Sequence, residues 1–543
     1  MESTATASSS SVAELLNAEP QPRSRMALAT VISRALEDFA TRTLLIDDDG
    51  TVTYREFRDR AHRGANALRA LGLRPGELVG IVAANVRGFC EVEYSALLGG
   101  FVRCAEVPRL HPNEVAACFA TGEVRVAAVQ PDWVEKLQAV SDRIPTLEHI
   151  VTLGEARAGV PSWDDILAIA SPEPPATLPA ADDDAWVLFT SGTTGETKGV
   201  TLTHGGLANM VRNIHADIGD MDETDVVVHS APLGHLSGCL FVASLVRGGA
   251  QLLMPAFDGR SLLSAVERHR MTWMIAVPTM LNQLTDLALQ MGPDTSSLRR
   301  ILYGASPMMP DRLGKAIKAF GNVLVQAYGL SEVPMPLTVL RQSAHRFDES
   351  GPPPARLLSA GRPVTGVELR VVDNERVPLP RGELGEIAVR TDVRMRGYWN
   401  RPELTAAAFD ADGWFYTGDM GRLDAEGYLH IVDRKKDMIL SGGFNVSPTE
   451  VEQILSAIPG VLEVTVVGVP DDTWGEAVTA VVVARPGAQL TEAAVIGASR
   501  EQLAHYKSPK RVEFWDELPK TATGKLMRRS VRDHFWRDSG RSI

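Results

Sequence analysis

The chain has 543 residues, 44% of them hydrophobic and 23% charged, with a formal net charge of −13. That length exceeds what one hydrophobic core serves, so two or more domains are expected. The acidic balance gives no general attraction to nucleic acid or anionic lipid, so any phosphate-binding charge has to be local.

Residues 1–26 are rich in Ser, Thr and Ala and read as a disordered tail. They show no positive n-region and no apolar run, so they do not read as a secretory signal. No stretch of the chain reaches the roughly 20 apolar residues of a membrane span. Cys90, Cys104, Cys118 and Cys239 form no CxxC pair, which points away from zinc and towards buried thiols in a reducing compartment. A cytoplasmic enzyme is the expectation.

From about residue 26 to 130, helix-like and strand-like patches alternate. Phe57, Ala61, Ala65, Leu68 and Leu71 follow a helical spacing that ends at Gly72 and Pro75. "ELVGIVAAN" reads as a strand, "RGFCEVEYSALLGGF" as a helix and "VRVAAVQ" as a strand. The run "AWVLFT" leads into "SGTTGETKGV", and "DVVVHSAPL" leads into a Gly-rich turn. "WMIAVPTMLNQLTDLAL" is a strand, a Pro break and a helix, and "RRILYGASPM" and "NVLVQAYGLSE" are strands ending in loops of small residues. This alternation predicts an α/β fold of mostly parallel sheets covered by helices. Ligands in such sheets sit at the carboxyl ends of the strands, here after Phe189, Leu302 and Val325. From about Ala360 the texture turns to β and turn, and a charged knot "DRKKD" (433–437) precedes a compact tail with helices and strands. The predicted division is a large domain over 27–432 with a β-rich part, a hinge over 433–436 and a small mobile α+β domain over 437–543.

The stretch "FTSGTTGETKGV" (189–200) packs glycines, hydroxyls and one lysine together. It misses the Walker pattern, because Thr197 and not a glycine precedes Lys198. The logic of a phosphate cradle still holds: glycines let backbone N–H groups converge, hydroxyls add donors and Lys198 adds charge.

"TSGTTGETKGV" resembles the signature of the adenylate-forming superfamily, which holds acyl- and aryl-CoA synthetases, carrier-loading adenylation enzymes and luciferases. "YGLSE" (328–332), "GELGE" (382–386), "WFYTGDMG" (414–421), "DRKKDMILSGGFNVSPTEVE" and "PKTATGKLMRR" (519–529) follow in the family's order. The resemblance implies a carboxylate–ATP reaction that forms an acyl-adenylate. It assigns ATP contacts to Thr190, Ser191, Gly192, Thr193, Thr194, Gly195 and Lys198. It places adenine among Gly304, Ala305, Ser306, Gln326, Ala327, Tyr328, Gly329, Leu330 and Ser331. It gives Asp419 to the ribose hydroxyls, Arg434 to the ribose or phosphate, Glu332 to Mg²⁺ and Lys525 to catalysis at the α-phosphate. Lys436 takes the hinge position, and Ser441, Gly442 and Gly443 form the face that meets a thiol. The acid would lie against His235, Gly238, Val333 and Met335.

The resemblance implies ATP, Mg²⁺ and coenzyme A, or a phosphopantetheine arm on a carrier protein, as partners. The expected acid is aromatic or medium aliphatic and carries no amino group. A carboxylate–CoA ligase comes first. A stand-alone enzyme loading a carrier protein, a luciferase-like oxygenase or non-catalytic relative, and adenylation with an atypical acid or amine acceptor stand as alternatives.

Overall fold

The computed structural model describes residues 26–543 apart from 158, 192–196, 307, 348–353, 442–443, 472–473, 521–525 and 538–543; Ser191 and Asn445 are described by their backbone. Among the described residues the strands form four sheets. The mostly parallel α/β layout expected for the large domain is present, followed by antiparallel sheet and a small α+β unit.

One sheet has the order Gly397–Tyr398, Thr197–Thr203, Asp184–Ser191, Val102–Glu106, Leu78–Val82, Val126–Val129, His149–Thr152. Its pairs from Asp184–Ser191 onward are parallel, but Thr197–Thr203 runs antiparallel to both of its neighbours. The second has Arg362–Pro363, Thr338–Leu340, Leu324–Tyr328, Arg300–Gly304, Trp273–Ala276, Val226–His229, Ala250–Leu253, Thr43–Asp47 and Gly50–Thr53. Its strands from Leu324–Tyr328 to Thr43–Asp47 are parallel, with antiparallel edges.

The two sheets share one continuous core. Helices Arg87–Gly99 and Leu236–Leu245 contribute to it and are buried nearly all round. A helix covered on every side has to be apolar on every side, which is why their sequences lack a polar stripe. The exceptions are paired. Glu91 binds Arg60 (2.6 Å) and Trp163, and Glu93 binds the fully buried Arg103 (3.0 Å). All four cysteines are buried thiols.

The third sheet is antiparallel, in the order Val367–Val372, Gly385–Thr391, Phe415–Leu423, Leu429–Arg434. The fourth, beyond the short helix Lys435–Asp437, joins Phe444–Val446, Ile439–Ser441, Gly475–Ala484 and Val461–Asp471, with Arg511–Phe514 parallel to Gly475–Ala484. Its core is separate from the others. Residues 433 and 434, which the sequence pattern assigns to the hinge, are the last rungs of the third sheet, opposite Met420 and Asp419. No helix among the described residues is long and apolar enough to cross a membrane.

Candidate active site

The described residues on either side of 192–196 are paired antiparallel strands. Strand Asp184–Ser191 turns back as Thr197–Thr203, with Thr190 opposite Lys198 and Ser191 opposite Thr197. Thr190, Ser191 and Lys198 therefore sit on ladder positions at the hairpin's tip. Gly192, Thr193, Thr194 and Gly195 lie outside the described residues.

A segment near residue 400 adds to the hairpin's outer edge. Gly397 and Tyr398 pair with Thr201 and Val200. Arg396 N–H donates to Thr201 O (2.9 Å) and Trp399 N–H to Gly199 O (2.7 Å). The same segment reaches the other sheet, because Met395 N–H donates to the carbonyl of Glu332 (2.7 Å). The Tyr398 hydroxyl donates to Glu332 Oε1 at 3.0 Å, and Lys198 Nζ lies 5.6 Å from the centre of the Tyr398 ring. Two candidates from different sheets, Lys198 and Glu332, thus meet on one tyrosine.

Strands Arg300–Gly304 and Leu324–Tyr328 are parallel neighbours, with Gly304 opposite Ala327. A Cβ on Gly304 would stand 2.4 Å from Ala327 O, so only glycine permits this approach. Ala305 follows at φ 70°, a left-handed conformation costing an L-residue about 1–2 kcal/mol. Ser306 is exposed beyond it. Gln326 accepts a long bond from Tyr303 (3.4 Å). After Tyr328 the chain makes a closed turn: Leu330 N–H donates to Val333 O (3.0 Å) and Leu337 N–H to Tyr328 O (2.8 Å). Gly329 is pressed against the Met335 backbone, where a Cβ would come within 2.6 Å of Met335 N. Ser331 and Glu332 are half-buried on the turn.

Tyr328 donates to Asp419 Oδ2 at 2.5 Å, and Arg434 Nε lies 2.7 Å from Asp419 Oδ1. Burial and the charge of Asp419 push the Tyr328 phenol well up, so it stays a donor. Asp419 is buried, and its N–H donates to Thr417 Oγ1, which in turn donates to Ile387 O. Glu386 of the "GELGE" motif accepts from Gly418 N–H (3.1 Å) and pairs with Lys435 (2.9 Å). It ties the residue before Asp419 to Lys435, the first residue after the sheet's last strand.

His235 caps helix Leu236–Leu245, after the strand Val226–His229. Asn85 grips this loop at three points, donating to His229 O and Ala231 O and accepting from Leu233 N–H. His229 Nε2 lies 2.9 Å from Gln251 Oε1, and Nδ1 lies 2.8 Å from Ser237 Oγ. The Gln251 amide nitrogen donates elsewhere, to Ser244 Oγ and Gly249 O, so its oxygen faces the ring. That assigns the proton to Nε2 and leaves Nδ1 accepting from Ser237. Burial, then the Arg103 charge, lower the His235 pKa to about 4, so the imidazole is neutral at pH 7. Gly238 lies on the first turn of that helix, with its N–H donating to His235 O (3.1 Å). Val333 and Met335 are buried in the core, as wall and not as surface. Strands Val226–His229, Arg300–Gly304 and Leu324–Tyr328 run parallel in one sheet, so the His235 loop and the loops after Gly304 and Tyr328 leave from the same end.

Lys525, Gly442 and Gly443 lie outside the described residues. Ser441 is buried, paired with Phe444 and Gly475. Lys436 accepts from Arg532 through its carbonyl (3.1 Å). Arg528 binds Asp433 (3.1 Å) and Glu452 (2.7 Å). Asp433 also accepts from Ser447 and from Thr449 N–H.

Sequence reasoning misses Tyr398, Asn85, Glu386 and Arg528. Tyr398 lies on a two-residue strand and Asn85 acts through backbone contacts, and neither leaves a periodic signal. Glu386 and Arg528 fall inside quoted motifs, but their partners lie 32 to 95 residues away.

Among the described residues no group of three or more His, Cys, Asp or Glu could hold a metal ion. Glu332 offers a single hard carboxylate, one oxygen of which is held by Tyr398. That donor set fits Mg²⁺, which is held by one or two carboxylates and otherwise by substrate phosphates and water.

Residues 32–399 match the model of the AMP-binding enzyme family, and 450–525 match that of the AMP-binding enzyme C-terminal domain. The chain is 35% identical over 527 residues to a medium/long-chain-fatty-acid–CoA ligase, FadD8, of Mycobacterium tuberculosis, covering 94% of this chain and 90% of that protein. It is 36% identical over 490 residues to a feruloyl-CoA synthase of an Amycolatopsis species, covering 89% and 94%. Among solved structures, the amide bond synthetase McbA of Marinactinospora thermotolerans superposes with a TM-score of 0.83 at 30% identity, covering 94% of this chain and 100% of that one.

Proposed function

The chain belongs to the family of AMP-binding, adenylate-forming enzymes and is a ligase of the AMP-forming acid–thiol kind; from that premise we propose a two-step reaction. A carboxylate oxygen of the acid attacks the α-phosphorus of ATP, the bond to the β-phosphate's bridging oxygen breaks, and pyrophosphate leaves an acyl-adenylate. The thiol of coenzyme A then attacks the acyl carbon, gives up its proton, and AMP leaves the thioester.

The observation that carries this reading is the meeting of Lys198 and Glu332 on Tyr398 at the hairpin tip. Both reactants are anions, so catalysis rests on positioning and on neutralising charge. Thr190, Ser191, Gly192 to Gly195 and Lys198 take the leaving pyrophosphate. The backbone of 304–306 and of 326–331 takes the adenine, and Asp419 with Arg434 takes the ribose. Lys525 reaches the α-phosphate and the attacking carboxylate. A Mg²⁺ ion on Glu332, when bound, neutralises phosphate charge.

The acid faces His235, Gly238, Val333 and Met335. These walls are apolar or neutral, which supports an aromatic or medium aliphatic acid. The named relatives are a feruloyl-CoA synthase and a medium/long-chain-fatty-acid–CoA ligase, whose range overlaps this one at medium chain length. We place the hinge at 433–436, between units 27–432 and 437–543. Rotation there withdraws Lys525 and brings Ser441, Gly442 and Gly443 to the thiol. Transfer to an amine is the second reading, favoured by the likeness to an amide bond synthetase.

The test is ATP–pyrophosphate exchange across a panel of carboxylic acids. The best acid is then offered with coenzyme A, a phosphopantetheinylated carrier protein and simple amines. Exchange with an aromatic or medium aliphatic acid, and thioester formation with coenzyme A, is the expected result. No exchange with any acid removes the adenylation reading. Product only with carrier or amine moves the acceptor.

A further inference from the structure

The segment 395–399 touches both halves of the site, and its tyrosine touches the two charged groups that matter most. Its backbone is fixed on both sides. Tyr398 N–H donates to Thr405 Oγ1 (2.9 Å), while its neighbours bond to Gly199, Thr201 and Glu332. The ring therefore has little freedom to drift. Its hydroxyl has one proton and gives it to one oxygen of Glu332, leaving the second oxygen's lone pairs to other partners. A neutral donor orients a carboxylate without cancelling the charge that draws a cation, as an arginine or lysine at the same place would. The ring's face lies towards Lys198, an orienting contact of modest strength.

We propose that Tyr398 is a positioning residue that fixes the cation carboxylate of Glu332 relative to the pyrophosphate lysine Lys198. It sets the geometry in which a divalent cation and the leaving phosphates are held together. This rests on the adenylation reading above and adds to it a residue outside the resembling motifs. The plainer alternative is a tyrosine that only closes a sheet edge. That role needs the backbone and the ring but not the hydroxyl.

Two substitutions separate these roles. Tyr398→Phe keeps the ring and the ladder and removes one hydrogen bond. Tyr398→Leu also removes the ring face. The readouts are Mn²⁺ binding to the protein–ATP complex, followed by electron paramagnetic resonance, the Mg²⁺ concentration giving half-maximal pyrophosphate exchange, and the melting temperature. Glu332→Gln serves as the reference. Tyr398→Phe is expected to weaken Mn²⁺ binding and raise the Mg²⁺ half-saturation by about tenfold, the usual scale for a hydrogen bond to a charged group. Its melting temperature should stay close to that of the parent. Tyr398→Leu is expected to weaken inhibition by pyrophosphate as well, whereas Tyr398→Phe leaves it unchanged. Unaltered Mn²⁺ binding in Tyr398→Phe, with weakened binding in Glu332→Gln, overturns the proposal while leaving the adenylation reading intact. Unaltered binding in Glu332→Gln overturns the cation assignment and the proposal with it. Failure of the adenylation reading shows separately, as no exchange in the parent enzyme.

Discussion

Arg434 and Asp419 face each other across two antiparallel strands, with Nε and Oδ1 2.7 Å apart. Tyr328 holds the other carboxylate oxygen. Each oxygen of the Asp419 carboxylate thus has a partner of its own, a phenol on one and a guanidinium on the other. The strand that carries Arg434 ends there and runs straight into the short helix Lys435–Asp437.

Asp419→Ala is expected to raise the KM for ATP at least tenfold, with the KM for the acid changed less than threefold. Steady-state exchange kinetics with each substrate varied in turn will show the split. An equal rise in both constants contradicts the ribose assignment.

Lys525→Ala is expected to lower acyl-adenylate formation by about 10²–10³-fold, the scale for removing one preorganised charge donor at the reacting centre. Thioester formation from supplied acyl-AMP should stay within a fewfold of the parent. Measuring the two half-reactions separately checks the assignment, and equal losses contradict it.

Gly304→Ala forces a methyl group to within 2.4 Å of Ala327 O unless the strands part. Overpacking of this kind costs about 1–3 kcal/mol. The expected outcome is a lower urea midpoint together with weaker AMP binding by calorimetry. Gly314→Ala, whose added methyl would meet no atom within 4 Å, is the control: it should leave AMP binding unchanged and raise the urea midpoint slightly, since it lies inside helix Pro310–Phe320.

Four histidines give the fold a predictable acid response. Burial lowers His204, His229, His235 and His345 from 6.5 to about 4 each. Between pH 6.5 and 4 the unfolded chain binds protons that the folded chain refuses. Stability is therefore complete above pH 6.5 and falls as the pH drops towards 4. For the fully buried His229 the loss is on the order of 3 kcal/mol. The melting temperature should fall steadily over this window, and His229→Gln should flatten the fall. An equally steep fall in that variant would contradict the assignment.

Much of this architecture can be read from the sequence because it is locally encoded. Apolar runs ending in small residues mark Arg300–Gly304 and Leu324–Tyr328, and the structure has strands there. The return strand Thr197–Thr203 is harder to read, since "TKGVTLT" mixes charge, glycine and hydroxyls. It is a strand because Asp184–Ser191 and Gly397–Tyr398 pair with it on either side. The roles of Asn85 and Tyr398 are set by partners 144 and 66 residues away, and no local pattern announces such contacts. Glu386 is visible as part of a motif, but its partners, Gly418 and Lys435, follow only from the packing of the third sheet.

The bonds from Arg396 to Thr201 and from Trp399 to Gly199 join segments about 200 residues apart in the sequence. A ribosome making this protein completes the hairpin long before residues 395–399 emerge. Until they do, the outer edge of Thr197–Thr203 has no partner strand there, and Lys198 has no aromatic face beneath it. An unpaired edge is a template for wrong pairing, and long-range closures of this kind form slowly. The growing chain thus passes through a stage with an exposed edge and without the Tyr398 contacts to Lys198 and Glu332. Fragments ending before residue 395 should be the ones that aggregate, and a holding chaperone should be needed most during that interval of synthesis.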